Sequence, residues 1–249
     1  MSPTASLERK TLITPVQTTA YFEAGPTDGP LLVFVHGFPA TGLTWRHQLE
    51  HFAALGFHTV APDLRGYGGS SVHSEPTAYR QEAIVHDVLA LLDHLGRQDA
   101  VWIGHDWGSP TVWNLAAHFP ERTRAVATLA VPFGTLERGL DVLLTTVDRN
   151  RYPADHYPYG QFDYMAYYER SPLEAAAVLD ADPEASMRAI YRRGNPAVHT
   201  RPSPTATTIA DGGRFGGAPV APDLPLDTAI LTERDLAELA AAMHSTCET

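Results

Sequence analysis

Ala100-Val101-Trp102-Ile103-Gly104-His105-Asp106-Trp107-Gly108, followed by Thr111-Val112-Trp113-Asn114-Leu115-Ala116-Ala117, is the stretch whose reading decides the fold. A buried apolar run, a pentapeptide with glycine at each end and a helix-like segment describe a strand, a sharp turn and a helix. That is the pattern of a nucleophile elbow, in which the tight bend exposes the central side chain. Here the central residue is Asp106 instead of Ser or Cys. A carboxylate ordinarily titrates near pH ~3.9 and needs no base to become nucleophilic at neutral pH. Asp106 therefore points to attack on a saturated carbon with an alkyl ester as intermediate. The competing reading is an aspartate that merely caps the next helix. Capping alone requires neither the flanking glycines nor the buried strand.

Around the elbow, residues 1–133 alternate β-rich runs with amphipathic helical segments. Leu31–Val35, Phe57–Ala61, Ala100–Ile103 and Ala125–Val131 read as strands. Their near-continuous apolar character, without alternation, suits parallel strands buried on both faces. Helical periodicity covers Thr44–Leu55 and Tyr79–Leu95, the latter with an apolar stripe of Ile84, Val88, Leu91, Leu92 and Leu95 and a stop signal at Gly96. This βαβα order predicts a doubly wound α/β sheet, opened by an antiparallel pair around Leu12–Val16 and Thr19–Glu23.

Residues 134–249 read as helices and loops: Leu136–Val147, Tyr164–Glu169, Pro172–Leu179, Pro183–Arg192 and Glu233–Met243. Thr232 with Asp235 forms a capping box for the last of these. Between residues 194 and 225 the chain is rich in Pro and Gly, a long loop of the kind that is usually functional or disordered.

Bulk properties narrow the classes. Among 249 residues, 29 acidic against 18 basic side chains leave a net charge of −11, which argues against nucleic acid as a partner. The single cysteine, Cys247, cannot form an internal disulfide, the first ten residues lack the apolar core of a secretory signal, and no apolar run is long enough to span a bilayer. A cytoplasmic protein is the economical expectation. The sequence is compatible with a homodimer.

Three further motifs fall at predicted strand ends or in the second part. His36-Gly37-Phe38-Pro39 follows Leu31–Val35. A glycine-bearing turn there can aim the Phe38 N–H into a site and, with the N–H of Trp107, form an oxyanion hole. Otherwise it is a tight turn packed by Pro39. Asp63-Leu64-Arg65-Gly66-Tyr67-Gly68-Gly69-Ser70 matches neither a dinucleotide fingerprint nor a P-loop. It reads as a structural loop in which Asp63 and Arg65 pair instead of catalysing. Gln161-Phe162-Asp163-Tyr164-Met165-Ala166-Tyr167-Tyr168, judged by spacing alone, favours packing over chemistry.

Taken in order and spacing, His36-Gly37-Phe38-Pro39, Asp63-Leu64-Arg65-Gly66-Tyr67-Gly68, Gly104-His105-Asp106-Trp107-Gly108 and Phe162-Asp163-Tyr164 resemble the epoxide hydrolases of the α/β-hydrolase fold. The resemblance implies a mostly parallel core in residues 1–133 and a helical cap in 134–249. It implies that Asp106 is the nucleophile, that Tyr164 donates a hydrogen bond to the epoxide oxygen, and that Phe38 and Trp107 supply backbone oxyanion donors. His36, Pro39, His105 and Phe162 become substrate-binding candidates. Haloalkane dehalogenases share the elbow but not the Phe162-Asp163-Tyr164 match, although Trp107 would suit a halide. Family members continue with a second cap tyrosine, further core strands, a triad acid and a catalytic histidine. This sequence ends at Thr249, and none of its 12 histidines stands at the matching position. The expectation is a fragment that takes up a small hydrophobic epoxide but hydrolyses the ester slowly, or a non-catalytic protein that keeps the pocket. This chemistry calls for no cofactor and no metal.

Overall fold

Hydrophobic runs Leu31–Val35 and Ala100–Ile103 lie side by side in the computed structural model, which describes residues 7–194 and 200–244. Residues 1–6, residues 195–199 of the Pro/Gly-rich loop and the tail from Ser245, Cys247 included, fall outside the described residues. Six strands form one sheet: β1 (Glu8–Ile13), β2 (Thr18–Ala24), β3 (Leu31–Val35), β4 (His58–Pro62), β5 (Ala100–His105) and β6 (Thr123–Leu129). Their spatial order is β1-β2-β4-β3-β5-β6. β1, β2 and β4 pair antiparallel, while β4, β3, β5 and β6 are mutually parallel. The α/β expectation is met.

β3 is apolar and buried throughout because both its faces are covered, whereas β6, read as buried on both faces, is the edge strand, carries Thr123 and Arg124 and is largely exposed. Val33 and Val35 point into a cluster with Val85, Leu91 and Leu92 of α2 (Gln81–His94) and Val112 and Leu115 of α3 (Gly108–His118). Leu32 and Phe34, on the opposite face, join Trp45 and Leu49, the latter in α1 (Arg46–Ala54). A side-chain period of two thus feeds two cores from one strand.

Several boundaries differ from the sequence reading, each for a local reason. The first hairpin turns at Thr14–Gln17, earlier than expected, because the Thr14 hydroxyl accepts from the Gln17 N–H (3.0 Å) and donates to the Gln17 carbonyl (2.9 Å). Val16 lies in that turn, 73% exposed, instead of in a strand. β6 stops at Leu129 because Ala130 takes φ +72°. The segment read as one helix over Leu136–Val147 is interrupted by Gly139 at φ +83°, leaving a 3₁₀ turn (Leu136–Arg138) and α4 (Leu140–Leu144).

The chain divides into two compact units, the first within Met1–Glu137 and the second beginning at Arg138. The second contains α4, α5 (Asp163–Arg170), α6 (Pro172–Asp180), α7 (Pro183–Ile190) and α8 (Glu233–His244). Two of these helices carry side-chain N-caps, of which the sequence reading named only Thr232 with Asp235. Asp182 accepts from the Ala185 N–H (2.9 Å) ahead of Pro183, and Thr232 and Asp235 exchange bonds as a reciprocal capping box (2.9 and 3.1 Å). The described part of the Pro/Gly-rich loop carries only a 3₁₀ turn at Pro204–Thr207. It is tied down by the Gly213 N–H on the Thr208 carbonyl (2.8 Å), and Asp227 accepts from both the Arg193 N–H and its Nε (3.1 Å each).

Candidate active site

β3 and β5 are neighbours, yet the chain leaves them in opposite directions, β3 towards β4 and β5 towards β6. The carboxyl ends of two such strands are a topological switch point, the place where open α/β sheets leave a crevice. Val35 pairs with Gly104, so residues two or three positions on must meet. The Phe38 N–H donates to Asp106 Oδ1 at 2.8 Å across 68 positions of sequence.

Asp106 itself takes φ +53°. A non-glycine residue in the left-handed region costs about 1–3 kcal/mol unless its surroundings impose it, although Asp tolerates it better than most. The surroundings here are backbone. A Cβ on Gly108 would strike the carbonyls of Val35 and His36, and a Cβ on Gly104 would strike the Gly108 carbonyl. Neither glycine has positive φ among the described residues, so each serves close approach, and the strained residue is the aspartate between them. Ser109 fastens the turn: its N–H donates to the Asp106 carbonyl (2.9 Å), and its hydroxyl reaches the carbonyls of Gly104 (3.1 Å) and Leu129 (3.2 Å). Asp106 precedes α3 by two residues, at the positive end of that helix's dipole.

The turn after β3 packs on the nucleophile candidate just as closely. A Cβ on Gly37 would meet Asp106 Oδ1 and lie 2.6 Å from the Trp107 nitrogen. His36 is 1% exposed, with Nδ1 2.9 Å from the Gly37 carbonyl and Nε2 2.9 Å from the Leu64 N–H. Burial pushes its pKa below the ordinary 6.5, although its bond to the Gly37 carbonyl and the charges of Asp63 and Asp106 act the other way. Both ring nitrogens are thereby engaged inside the fold. Phe38 and Pro39 are half-buried, His105 is exposed, and Trp107 is 39% exposed.

The loop after β4 is structural, as expected, with partners that spacing could not name. Asp63 accepts from the backbone N–H groups of Gly42 (2.8 Å) and Gly69 (3.0 Å), and Arg65 forms a bidentate pair with Asp87 of α2 at 2.7 Å on both arms.

In the second unit, Tyr164 lies on the first turn of α5, half-buried, with its ring edge-on to Tyr168 at 5.8 Å. Phe162 packs on Val147, Tyr152 and Ala206. Sequence reasoning missed the role of Asp163. It is 4% exposed and accepts from the Ile209 N–H at 2.7 Å, which pins the 200–213 loop to α5. No signal short of the fold pairs residues 46 positions apart. Among the described residues no cluster of His, Cys, Asp and Glu could hold a metal ion, and no helix is long and apolar enough to cross a membrane.

Comparison with known proteins agrees with this geometry. The model of the α/β-hydrolase fold family matches residues 30–176. Epoxide hydrolase A of Mycobacterium tuberculosis is 40% identical over 166 residues, covering 67% of this chain and 48% of its own length. Bifunctional epoxide hydrolase 2 of Sus scrofa is 33% identical over 94% of this chain and 39% of its own. The chain thus spans about half or less of the length of these curated relatives. The crystal structure of epoxide hydrolase A from Mycobacterium thermoresistibile superposes with a TM-score of 0.74 at 32% identity, covering 97% of this chain and 71% of that one. The match over residues 30–176 shows that this chain belongs to the α/β-hydrolase fold family, and the relatives it resembles are epoxide hydrolases.

Proposed function

We propose that Asp106 opens a small hydrophobic epoxide by back-side attack on its less hindered carbon. A bond forms from the free carboxylate oxygen to that carbon, the ring C–O bond breaks, and the departing oxygen takes a proton from the phenol of Tyr164. The product is an alkyl ester on Asp106. Water then attacks the ester carbonyl, whose oxyanion is met by the N–H groups of Phe38 and Trp107. The acyl C–O bond breaks, one water proton ends on the new diol hydroxyl and the other returns to the Tyr164 phenolate, so that the diol leaves and the Asp106 carboxylate is restored.

One observation carries the reading: Asp106 sits at φ +53° between strand and helix with Oδ1 on the Phe38 N–H. Such strain persists only where surrounding contacts enforce it, and it clusters at sites of chemistry. The epoxide comes from the relatives' activity, and the role of Tyr164 from the Phe162-Asp163-Tyr164 motif. Pro39, His105 and Phe162 are assigned to the substrate's walls. The residues that define the helical cap, 134–249, remain part of the same proposal.

Ester hydrolysis needs a general base, worth about 10²–10⁴-fold. The resemblance assigns that role to none of the 12 histidines in these 249 residues. A polypeptide of these 249 residues alone is therefore expected to accumulate the ester. Incubation with styrene oxide followed by intact-mass analysis tests this directly. A gain of one epoxide mass per chain, mapped to Asp106, is expected. Steady diol production by unmodified protein defeats the stalled-ester reading, and halide release from a haloalkane without epoxide uptake moves the chemistry to dehalogenation.

A further inference from the structure

His36 follows β3 directly and is sealed from water, so the protons on its ring are dictated by its neighbours. The Leu64 N–H can only donate. At 2.9 Å it requires a lone pair on Nε2, which leaves the ring hydrogen on Nδ1. Nδ1–H must then donate to the Gly37 carbonyl at 2.9 Å. That carbonyl belongs to the same planar peptide as the Phe38 N–H, and the two groups of a trans peptide point in opposite directions. Fixing the carbonyl on one side aims the N–H on the other, where it meets Asp106 Oδ1 at 2.8 Å. Leu64 N–H, imidazole, the Gly37–Phe38 peptide and Asp106 thus form one continuous chain of hydrogen bonds. The members of such a chain polarise one another in a buried setting. The ring of Tyr67 packs edge-on against the imidazole at 5.0 Å and completes its enclosure.

We propose that His36 is a positioning residue for epoxide opening: its Nδ1–H aims the Phe38 N–H, which holds one oxygen of Asp106 and turns the other to the substrate. The proposal rests on the reading of Asp106 as nucleophile. Protonation of Nε2 would set two donors face to face, so the chain exists only with a neutral ring. The charged groups facing the ring are Asp63 and Asp106, both of which favour protonation, and burial opposes them.

Two substitutions separate aiming from packing. The amide nitrogen of His36→Asn falls where Nδ1 stands, which keeps the donor to Gly37 and abandons Leu64. The side-chain amide of His36→Gln reaches the place of Nε2, which keeps an acceptor for Leu64 and abandons Gly37. Three quantities are measured for each: the unfolding midpoint, the second-order rate of styrene oxide addition to Asp106, and the amide resonances of Phe38 and Leu64. His36→Asn is expected to keep the addition rate within about threefold and to move the Leu64 resonance. His36→Gln is expected to move the Phe38 resonance and slow addition about tenfold or more, the effect of losing a bond to a charged group. Rates that fall equally in both variants, or in neither, overturn the proposal.

Nitrogen NMR of the imidazole supplies an independent arm. The Nδ1–H tautomer is expected from about pH 5 to about pH 8, the span over which histidines ordinarily titrate. An Nε2–H ring overturns this inference alone. A parent protein that takes up no epoxide overturns the nucleophile reading and the catalytic use of the chain with it.

Discussion

The turn bearing Asp106 and the helix bearing Tyr164 are held by different means. Around Asp106 the constraint is backbone against backbone, with Gly108 against the carbonyls of Val35 and His36, and Gly104 against Gly108. Parallel strands on both sides of β5 give that turn nowhere to relax. Around Tyr164 the constraint is side chain against loop, with Asp163 on the Ile209 N–H and Phe162 in a small cluster. The first arrangement tolerates a strained φ because every neighbour is rigid. The second orders an eight-residue helix, too short to be stable alone, by docking it on a loop. On the proposed mechanism, that difference gives precision where the bond would form and latitude where the proton would be delivered.

Substitutions break the comparison in decreasing order of effect. Asp106→Asn is expected to abolish epoxide uptake by mass, while its unfolding free energy stays within about 0.5 kcal/mol, because Asn shares the tolerance for the left-handed region. Tyr164→Phe is expected to slow addition about 10²-fold, the lower end for loss of a general acid, with an unchanged urea midpoint. Gly108→Ala should cost about 3 kcal/mol in urea unfolding, at the upper end for overpacking, since only backbone stands in the way. Asp163→Ala should cost about 1–3 kcal/mol and raise amide exchange at Ile209 without disturbing the elbow, through an orphaned buried donor. If Gly108→Ala and Asp163→Ala prove equally mild, the contrast between rigid and docked sites is lost.

A smaller effect sharpens the picture at the other end of the sheet, where Glu23 on β2 meets His58 (2.6 Å) and Lys10 (2.8 Å). Burial pushes the Glu23 carboxyl up, but the bonds from Lys10 and His58 outweigh it, and its net pKa lies below the ordinary 4.5. A carboxylate depressed in the folded state adds stability above its unfolded value and loses it as the pH falls. Wild-type stability should therefore decline as the pH drops below 4.5 towards the lowered folded value. Glu23→Gln should flatten that acid limb, read as unfolding midpoint against pH.

Much of this was legible in the chain. Leu31–Val35 matches to the residue, β5 by its start, and α5 to α8 of the second unit within one to two residues. The capping box at Thr232 and Asp235 formed as read. These features are local, and hydrophobic period, proline position and cap chemistry report them directly. The hairpin boundary, the end of β6 and the break at Gly139 differ from the sequence reading, because Thr14 acts through hydroxyl bonds to Gln17 and Ala130 and Gly139 through backbone angles, none of which composition records. The sequence reading pairs Asp63 and Arg65, but Asp63 is held by Gly42 and by Gly69 of its own loop, and Arg65 by Asp87 of α2.

The amino-acid sequence alone determined that an aspartate occupies a bend between a buried strand and a helix, since glycine spacing and apolar runs are properties of neighbours. Only the tertiary structure decided which way the Phe38 N–H points, which groups face the two nitrogens of His36, and why Gly104 and Gly108 admit no side chain. Those facts depend on strands β3 and β5 lying in register, a contact between segments some seventy residues apart that no local pattern encodes.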